Sequence, residues 1–291
     1  MICPALVCAL LAWGPCFQET GEPKTHRSGG DFEVEVVPNI AYYQGEAADE
    51  VRHKLDLYLP KGQKNFPVLI FVHGGTWRSG DKRLYGKLGE VFARNGIGMV
   101  IVNYRLTPMV KHPAHIEDVA RAFAWTHKHI AKYGGDAANI FVCGHSAGGH
   151  LVSLLSTSEK YLKAHDLKIS DTKGTIPISG VFVLIPNQAF KDIFTMDKDT
   201  VRSASPIEHV AGKHPPFLLL YADKDFLTLD TQAEEMCKKL KGCECEAAAL
   251  KITERTHISI ITSMVRETDP ANQAIFAFLA KHGGLKLRDM K

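Results

Sequence analysis

Short apolar runs that alternate with longer helical patterns constrain this sequence more than any other feature. Residues 68–72, 97–102 and 140–143 are continuous apolar stretches, which are typical of strands covered on both faces of a parallel sheet. Residues 84–95 and 115–133 carry apolar positions at helical spacing and end at glycines. Strands that alternate with helices of this length predict an α/β fold, with a mostly parallel central sheet and helices on both faces.

The flanking segments extend this sheet. Residues 32–37 and 54–59 alternate apolar and polar side chains, as half-exposed strands do, and are predicted to form an antiparallel edge. Residues 186–215 form an insertion long enough to act as a short cap over an active site. Three further strands are predicted at residues 175–184, 217–222 and 246–251, and three further helices at residues 150–158, 231–240 and 270–282.

Charge and composition restrict the class of partner. The formal net charge is only +3 and charges of both signs are interspersed, so no binding of nucleic acid is expected. Hydrophobic residues make up 45% of the sequence and charged residues 23%, which is ordinary for a globular protein. We therefore predict one α/β domain over residues 21–291 and leave its oligomeric state open.

The first 20 residues differ from the rest. Residues 5–13 are an uncharged apolar run, shorter than the about 20 residues that span a bilayer, so no stable membrane insertion is expected. With the small residues Gly14 and Cys16 behind it, the run predicts a signal peptide over residues 1–20 and a secreted or periplasmic protein. No Lys or Arg precedes the run, which keeps a cytoplasmic protein as the alternative. In an exported protein one pair of the downstream cysteines could form a disulfide, although a reduced trio is equally compatible: Cys237, Cys243 and Cys245.

The pattern Gly-x-Ser-x-Gly occurs at residues 144–148, directly after a predicted buried strand and before a predicted helix. A serine hydroxyl needs an adjacent base to act as a nucleophile, and a tight strand-to-helix turn exposes it at the positive end of a helix dipole. This context predicts that Ser146 is a nucleophile, rather than part of a glycine-rich bend without chemistry. His145 and His150 are interpreted as bystanders.

A second glycine-rich loop, His-Gly-Gly-Thr-Trp at residues 73–77, follows the predicted strand at residues 68–72. Acyl transfer produces an oxyanion that preorganised backbone N–H groups must stabilise, and glycines let the backbone come close enough. Trp77 either lines the acyl pocket of the substrate-binding site or packs in the core. The predicted oxyanion donors are the backbone N–H groups of Gly75, Thr76 and Ala147.

These two motifs together resemble the α/β-hydrolase esterases and lipases that carry His-Gly-Gly-x-Trp upstream of Gly-x-Ser-x-Gly. That group includes acetyl- and feruloyl-esterase-like bacterial carboxylesterases and relatives of kynurenine formamidase. Residues 103–108 are similar to their Tyr-Arg-Leu segment, and residues 134–140 to the segment that leads into their nucleophile strand. The resemblance covers residues 35–283 and implies the α/β-hydrolase fold, with a catalytic Ser, acid and His in that order along the chain. We expect neither a cofactor nor a metal ion.

Two candidates for the acid follow the predicted strand at residues 217–222. The family's usual Gly-x-x-Asp frame is matched by Ala222-x-x-Asp225, so the resemblance favours Asp225. Asp223 would then be a turn residue that bonds to local backbone. The substitution of Ala for Gly at residue 222 is a departure from the family pattern.

Two histidines lie beyond the acid, His257 and His282. His257 lies in a Thr-His-Ile segment similar to the family's Gly-His-Phe segment, whereas His282 falls at the end of a predicted helix. His257 is therefore the predicted base, which takes the proton of Ser146 while Asp225 fixes its tautomer.

These residues predict a serine hydrolase that cleaves carboxylic esters of small or aryl substrates through an acyl-enzyme. An arylformamidase-type amide hydrolase would use the same triad and is the first alternative. The second is a hydrolase-fold protein that only binds. Such proteins typically lose a catalytic residue, whereas this sequence retains all three.

Overall fold

A computed structural model describes residues 26–28 and 31–289 of the chain. The predicted signal peptide at residues 1–20 lies outside these residues and stays a prediction. Among the residues described, no helix combines the length and the apolar character needed to cross a membrane.

The described residues contain ten strands. In chain order they are β1 (His26–Ser28), β2 (Val34–Ala41), β3 (Lys54–Pro60), β4 (Phe66–Val72), β5 (Gly98–Val102), β6 (Gly135–His145), β7 (Gly174–Ile178), β8 (Phe217–Lys224), β9 (Ala247–Thr256) and β10 (Leu287–Asp289).

Nine α-helices accompany these strands in the described part of the chain. They are α1 (Gly86–Arg94), α2 (Ala114–His129), α3 (Ala147–Thr157), α4 (Glu159–Lys163), α5 (Lys191–Phe194), α6 (Lys198–Ser203), α7 (Leu229–Gly242), α8 (Ser259–Thr262) and α9 (Pro270–Gly283). Short 3₁₀ turns precede α1 at Lys82–Tyr85 and follow α2 at Ile130–Tyr133.

Eight strands form the central sheet in the order β2-β3-β5-β4-β6-β7-β8-β9, while β1 pairs with β10 separately. The β2–β3 and β3–β5 pairs are antiparallel, and all the other pairs of the sheet are parallel. The predicted parallel sheet and its antiparallel edge are thus confirmed. Parallel strands share one carboxyl edge, so the loops after β4, β6 and β8 open on the same side of the sheet.

The continuous apolar sequence of β4 is explained by burial on both of its faces. Val68, Ile70 and Val72 pack in the core cluster that includes side chains of α2 and α3. Leu69 and Phe71 pack in a second cluster with side chains of α1 and α9. A strand that buries both faces needs apolar residues at every position, which is why its sequence shows no alternation.

One predicted strand is too long. The apolar run at residues 175–184 was expected to be a strand throughout, but β7 ends at Ile178. Ser179 adopts a left-handed backbone with φ of 47°, which ends the extended conformation. The chain beyond it forms no strand: Phe182 is buried and packs against the side chains of α7, whereas Val181, Val183 and Leu184 are only partly buried. The apolar sequence of this segment therefore reflects packing and not strand pairing.

The predicted cap at residues 186–215 contains α5 and α6 and is anchored to the body of the molecule. The guanidinium of Arg78 donates to the carbonyl of Ala189, and the backbone N–H of His112 donates to the carbonyl of Ile193. Four of its side chains are buried in the same core cluster as α2 and α3: Ile193, Phe194, Val201 and Ala204.

Candidate active site

The turn between β6 and α3 holds Ser146 in a strained backbone conformation, with φ of 54° and ψ of −116°. Non-glycine residues seldom adopt such angles, which occur where the surrounding structure enforces them. The flanking glycines supply that enforcement. A Cβ on Gly144 would collide with the backbone of Gly148, and a Cβ on Gly148 would collide with the carbonyl oxygen of Val72. The Gly-x-Ser-x-Gly pattern therefore lets strand, helix and β4 approach closely around the serine.

The structure brings the three predicted catalytic side chains together. Ser146 Oγ lies 2.9 Å from His257 Nε2, and His257 Nδ1 lies 2.6 Å from Asp225 Oδ1. A carboxylate can only accept, so the imidazole proton sits on Nδ1 and leaves Nε2 free to accept from the serine hydroxyl. The alternative histidine, His282, lies at the end of α9, where it faces Glu246 at 3.3 Å.

The carboxylate of Asp225 is almost fully buried, with 2% of the side chain exposed. Burial raises its pKa, but hydrogen bonds from His257, from the Ser179 hydroxyl and from two backbone N–H groups outweigh burial and hold the pKa below its ordinary value. The backbone donors are Ala222 at 3.1 Å and Phe226 at 2.9 Å. The acid is therefore ionised at neutral pH while it faces the imidazole.

Asp223 lies apart from this arrangement. It is exposed and accepts hydrogen bonds from the backbone N–H groups of Glu254 and Arg255 in β9, at 2.9 Å and 2.8 Å. The expectation of a turn residue bonding to local backbone was wrong, because the neighbouring parallel strand supplies the donors. Asp223 links β8 to β9 instead.

Ser179 belongs to this site, although the sequence reasoning missed it. Its hydroxyl donates to Asp225 Oδ2 at 2.5 Å, and its backbone N–H donates to the carbonyl of Leu220. Ser179 is 1% exposed and lies at the end of β7, between the strands that carry the nucleophile and the acid. The one available signal was the Ser-Gly interruption of the apolar run at residues 175–184.

The interpretation of His145 and His150 as bystanders was also incomplete. His145 Nε2 donates to the carbonyl of His257 at 2.8 Å, so the residue before the nucleophile holds the loop that carries the base. His150 accepts from the indole N–H of Trp77 at 3.3 Å and donates to the carbonyl of Ala204 at 2.8 Å. Burial lowers the pKa of His145 to about 4 and that of His150 to about 3, so both rings are neutral.

The loop after β4 bends against the nucleophile. Gly75, Thr76 and Trp77 have successive positive φ values of 117°, 51° and 58°. A Cβ on Gly74 would lie 3.1 Å from the Cβ of Ser146, and a Cβ on Gly75 would collide with a backbone carbonyl within the same loop. The first N–H groups of a helix have no intrahelical partner, which leaves the N–H of Ala147 available beside this loop. The loop is thus positioned for the predicted oxyanion role of Gly75, Thr76 and Ala147, which stays a prediction.

Trp77 occupies a packed position beneath the cap. Its side chain is 2% exposed, and its ring makes edge contacts with His150 at 5.1 Å and with Phe194 at 4.9 Å between ring centroids. The structure therefore places Trp77 in the core, as the packing alternative expects.

A buried ion-pair network supports the loop after β5. Asp118 is fully buried and accepts from the guanidinium of Arg105 at 2.8 Å, from Arg121 at 2.7 Å and from His53 at 3.0 Å. Burial raises the pKa of Asp118, but hydrogen bonds from His53 and Arg105 outweigh it and lower the pKa to about 2. The backbone N–H of Thr107 donates to the backbone carbonyl of Trp77 at 2.9 Å, so the loop after β5 contacts the oxyanion loop.

The chain is similar in sequence to known esterases and to a formamidase. The esterase LipC of Mycobacterium tuberculosis is 32% identical over 254 residues, which cover 79% of this chain and 62% of LipC. Kynurenine formamidase of Danio rerio is 25% identical over 245 residues, which cover 81% of this chain and 80% of that enzyme. The chain spans only 45% to 62% of the length of three mycobacterial esterases that it matches.

A truncated carbohydrate esterase from gut microbiota has a similar solved structure, with a TM-score of 0.73 over 89% of this chain and 99% of that chain. At 19% sequence identity this likeness concerns the fold alone, which is the α/β-hydrolase fold. The sequence model of the BD-FAE family matches residues 55–240, a stretch that contains both glycine-rich loops and the acid. Because this match extends over more than half of the chain, the protein belongs to the BD-FAE family.

Proposed function

We propose that this protein is a serine hydrolase that cleaves carboxylic esters of small or aryl substrates through an acyl-enzyme intermediate. One observation carries the proposal. Ser146 Oγ, His257 and Asp225 form an unbroken chain of hydrogen bonds of 2.9 Å and 2.6 Å, and the serine lies at a strained strand-to-helix turn. A nucleophile, its base and the group that orients the base are the three parts that acyl transfer requires.

The first half of the reaction follows from this geometry. Ser146 Oγ attacks the ester carbonyl carbon as His257 Nε2 takes the hydroxyl proton, and the new O–C bond leaves a negative charge on the carbonyl oxygen. The backbone N–H groups of Gly75, Thr76 and Ala147 receive that oxygen. The C–O bond to the alcohol then breaks, and His257 returns the proton to the departing oxygen. The second half repeats these steps with water as the nucleophile, which releases the carboxylic acid and restores the serine.

An amide hydrolase of the arylformamidase type is the second candidate. The observation in its favour is coverage, because the match to kynurenine formamidase extends over 80% of that enzyme, against 62% of LipC. The same three side chains would serve, with a departing amine in place of the alcohol. The comparison of N-formylkynurenine with phenyl acetate as substrates separates the two candidates.

The deciding experiment measures hydrolysis of p-nitrophenyl acetate by the wild type and by Ser146→Ala. We expect the variant to lose at least about 10⁴-fold in kcat, because nucleophile and base act as one unit. Undiminished turnover in Ser146→Ala would show that another group performs the reaction. A ratio of kcat/KM for N-formylkynurenine over phenyl acetate well above one would favour the formamidase candidate.

A further inference from the structure

An apolar cleft of about 630 Å³ adjoins the oxyanion loop, whose Gly74 and Gly75 line it, and none of its apolar side chains takes part in the chemistry proposed above. One wall is made by Leu84 and Leu88, from the 3₁₀ turn before α1 and from α1 itself. The opposite wall is made by the segment that follows the base, with the side chains of Ile258, Ile261 and Val265. Gly74 and His145 also line the cleft, which places its inner end beside the residue that precedes Ser146.

The rim of this cleft exposes large apolar side chains. Leu84 is 74% exposed, Ile258 is 58% exposed and Val265 is 51% exposed. Single exposed apolar residues are ordinary, but three that converge on one concave surface mark a place where an apolar group binds. None of the described lining residues carries a formal charge at neutral pH, because the one titratable imidazole, His145, is neutral.

The position of the base decides which part of an ester lies next to this cleft. In acyl transfer the proton on His257 Nε2 must pass to the oxygen of the departing alcohol, so that oxygen lies against His257. Ile258 directly follows the base, and it begins the wall that continues through Ile261 to Val265. The ring of His145, which lines the cleft, lies 4.8 Å from the ring of His257 between centroids, so the group attached to the departing oxygen starts next to the cleft.

We propose that this cleft binds the alcohol portion of the substrate, and that this portion is an uncharged hydrocarbon group of several carbons. The inference rests on the serine-hydrolase function proposed above and adds the substrate class to it. Esters of hexanol or of benzyl alcohol fit this chemistry. A charged alcohol would find no ion-pair partner among the lining residues, and a heavily hydroxylated one would find only three hydroxyl side chains, those of Ser79, Tyr85 and Thr262.

The first test measures hydrolysis of two series of esters by the wild-type protein, followed through the proton that the carboxylic acid product releases. The alcohol series runs from methyl acetate to hexyl acetate, and the acyl series from methyl acetate to methyl hexanoate. We expect kcat/KM to rise at least about tenfold along the alcohol series, because each methylene buried in the cleft contributes up to about fourfold.

Val265→Glu places a charge in the wall at a position exposed enough to tolerate it. We expect it to lower the ratio of kcat/KM for hexyl acetate over methyl acetate about tenfold and to leave the ratio along the acyl series unchanged. Leu84→Glu tests the opposite wall in the same way. Val51→Glu is the matched control, since Val51 is 59% exposed outside the lining of the cleft, and both ratios should match the wild type.

The possible outcomes distinguish a failure of this inference from a failure of the proposed serine-hydrolase function. Ser146-dependent hydrolysis without a preference for the longer alcohol would overturn the inference and leave the proposed function standing. A drop along the acyl series instead of the alcohol series in Val265→Glu would overturn it as well. Absence of any Ser146-dependent ester hydrolysis would remove the proposed function, and the inference with it.

Discussion

Replacing Asp225 with asparagine tests the acid at the level of single hydrogen bonds. Oδ1 accepts from His257 and from the N–H of Phe226, while Oδ2 accepts from Ser179 and from the N–H of Ala222. An asparagine has one oxygen and one NH₂ group in place of the two carboxylate oxygens, so only one of these two pairs of donors keeps its acceptor. Ala222 is buried and its N–H cannot reach water, whereas Phe226 is exposed, so the oxygen should stay at the Oδ2 position. The amide NH₂ then faces His257 Nδ1.

This exchange reverses the tautomer of the base. With an NH₂ donor against it, Nδ1 must accept, and the imidazole proton moves to Nε2, 2.9 Å from Ser146 Oγ. A protonated Nε2 cannot take the serine proton. We expect kcat to fall about 10⁴-fold, which corresponds to about 5 kcal/mol of lost transition-state stabilisation. KM should change little, because the Asp225 side chain is 2% exposed and acts through its hydrogen bond to His257.

The assay measures kcat and KM for phenyl acetate with Asp225→Asn and with its matched control, Asp223→Asn. Asp223 is exposed and bonds only to backbone N–H groups of β9, so its variant should stay within about threefold of the wild type. Thermal unfolding of both variants checks that they are folded. Loss of orders of magnitude in Asp223→Asn alone, or less than tenfold loss in Asp225→Asn, would refute the reasoning.

Three further predictions follow from contacts around the site. Ser179→Ala should lower kcat about tenfold and shift the acid limb of the kcat profile to higher pH, because Asp225 loses a charge-assisted donor; an unchanged pH profile would contradict this. Asp118→Ala should destabilise the fold by about 2–3 kcal/mol in urea unfolding, since it leaves the half-buried guanidinium groups of Arg105 and Arg121 without this carboxylate; a loss below about 1 kcal/mol would show that water screens them. His145 and His150 have lowered pKa values, so their contribution to stability is complete above about pH 6.5 and is lost as the pH falls towards 4. Each should cost about 1 kcal/mol between about pH 7.5 and about pH 5.5, and His73, His112 and His115, whose pKa values burial also lowers to about 4, add to the same loss; equal urea midpoints at the two pH values would disprove it.

The sheet was predictable because its cause is local in sequence. A strand such as β4 that buries both faces must be apolar at every position, and that requirement is visible without any knowledge of its neighbours. The same reasoning failed at residues 179–184, where Phe182 packs against α7 and Val181 and Leu184 pack against the first core cluster although the backbone forms no strand. Composition records burial, and burial alone does not distinguish a strand from a packed loop.

Of the predicted catalytic residues, only Ser146 was identifiable for a similar reason. Ser146 carries a local backbone requirement, because the close approach at Gly144 and Gly148 excludes any larger side chain. His257 and Asp225 have no such signature, and their selection depended on chain order and on the family frame. Asp223 and Asp225 illustrate this difference. They are only two positions apart, yet Asp225 bonds to His257 whereas Asp223 links β8 to β9.

The sequence by itself determined the alternation of strands and helices and the turn that carries Ser146, because each depends on residues close together in the chain, whereas the order of the predicted catalytic residues came from the resemblance to the family. Only the tertiary structure decided that Ser179 bonds to Asp225 across 46 residues, that His145 holds the carbonyl of His257 across 112 residues, and that two separate helical segments enclose an apolar cleft. These contacts form between elements that meet only when the sheet assembles, and a pairing between distant residues leaves no periodic pattern in either segment.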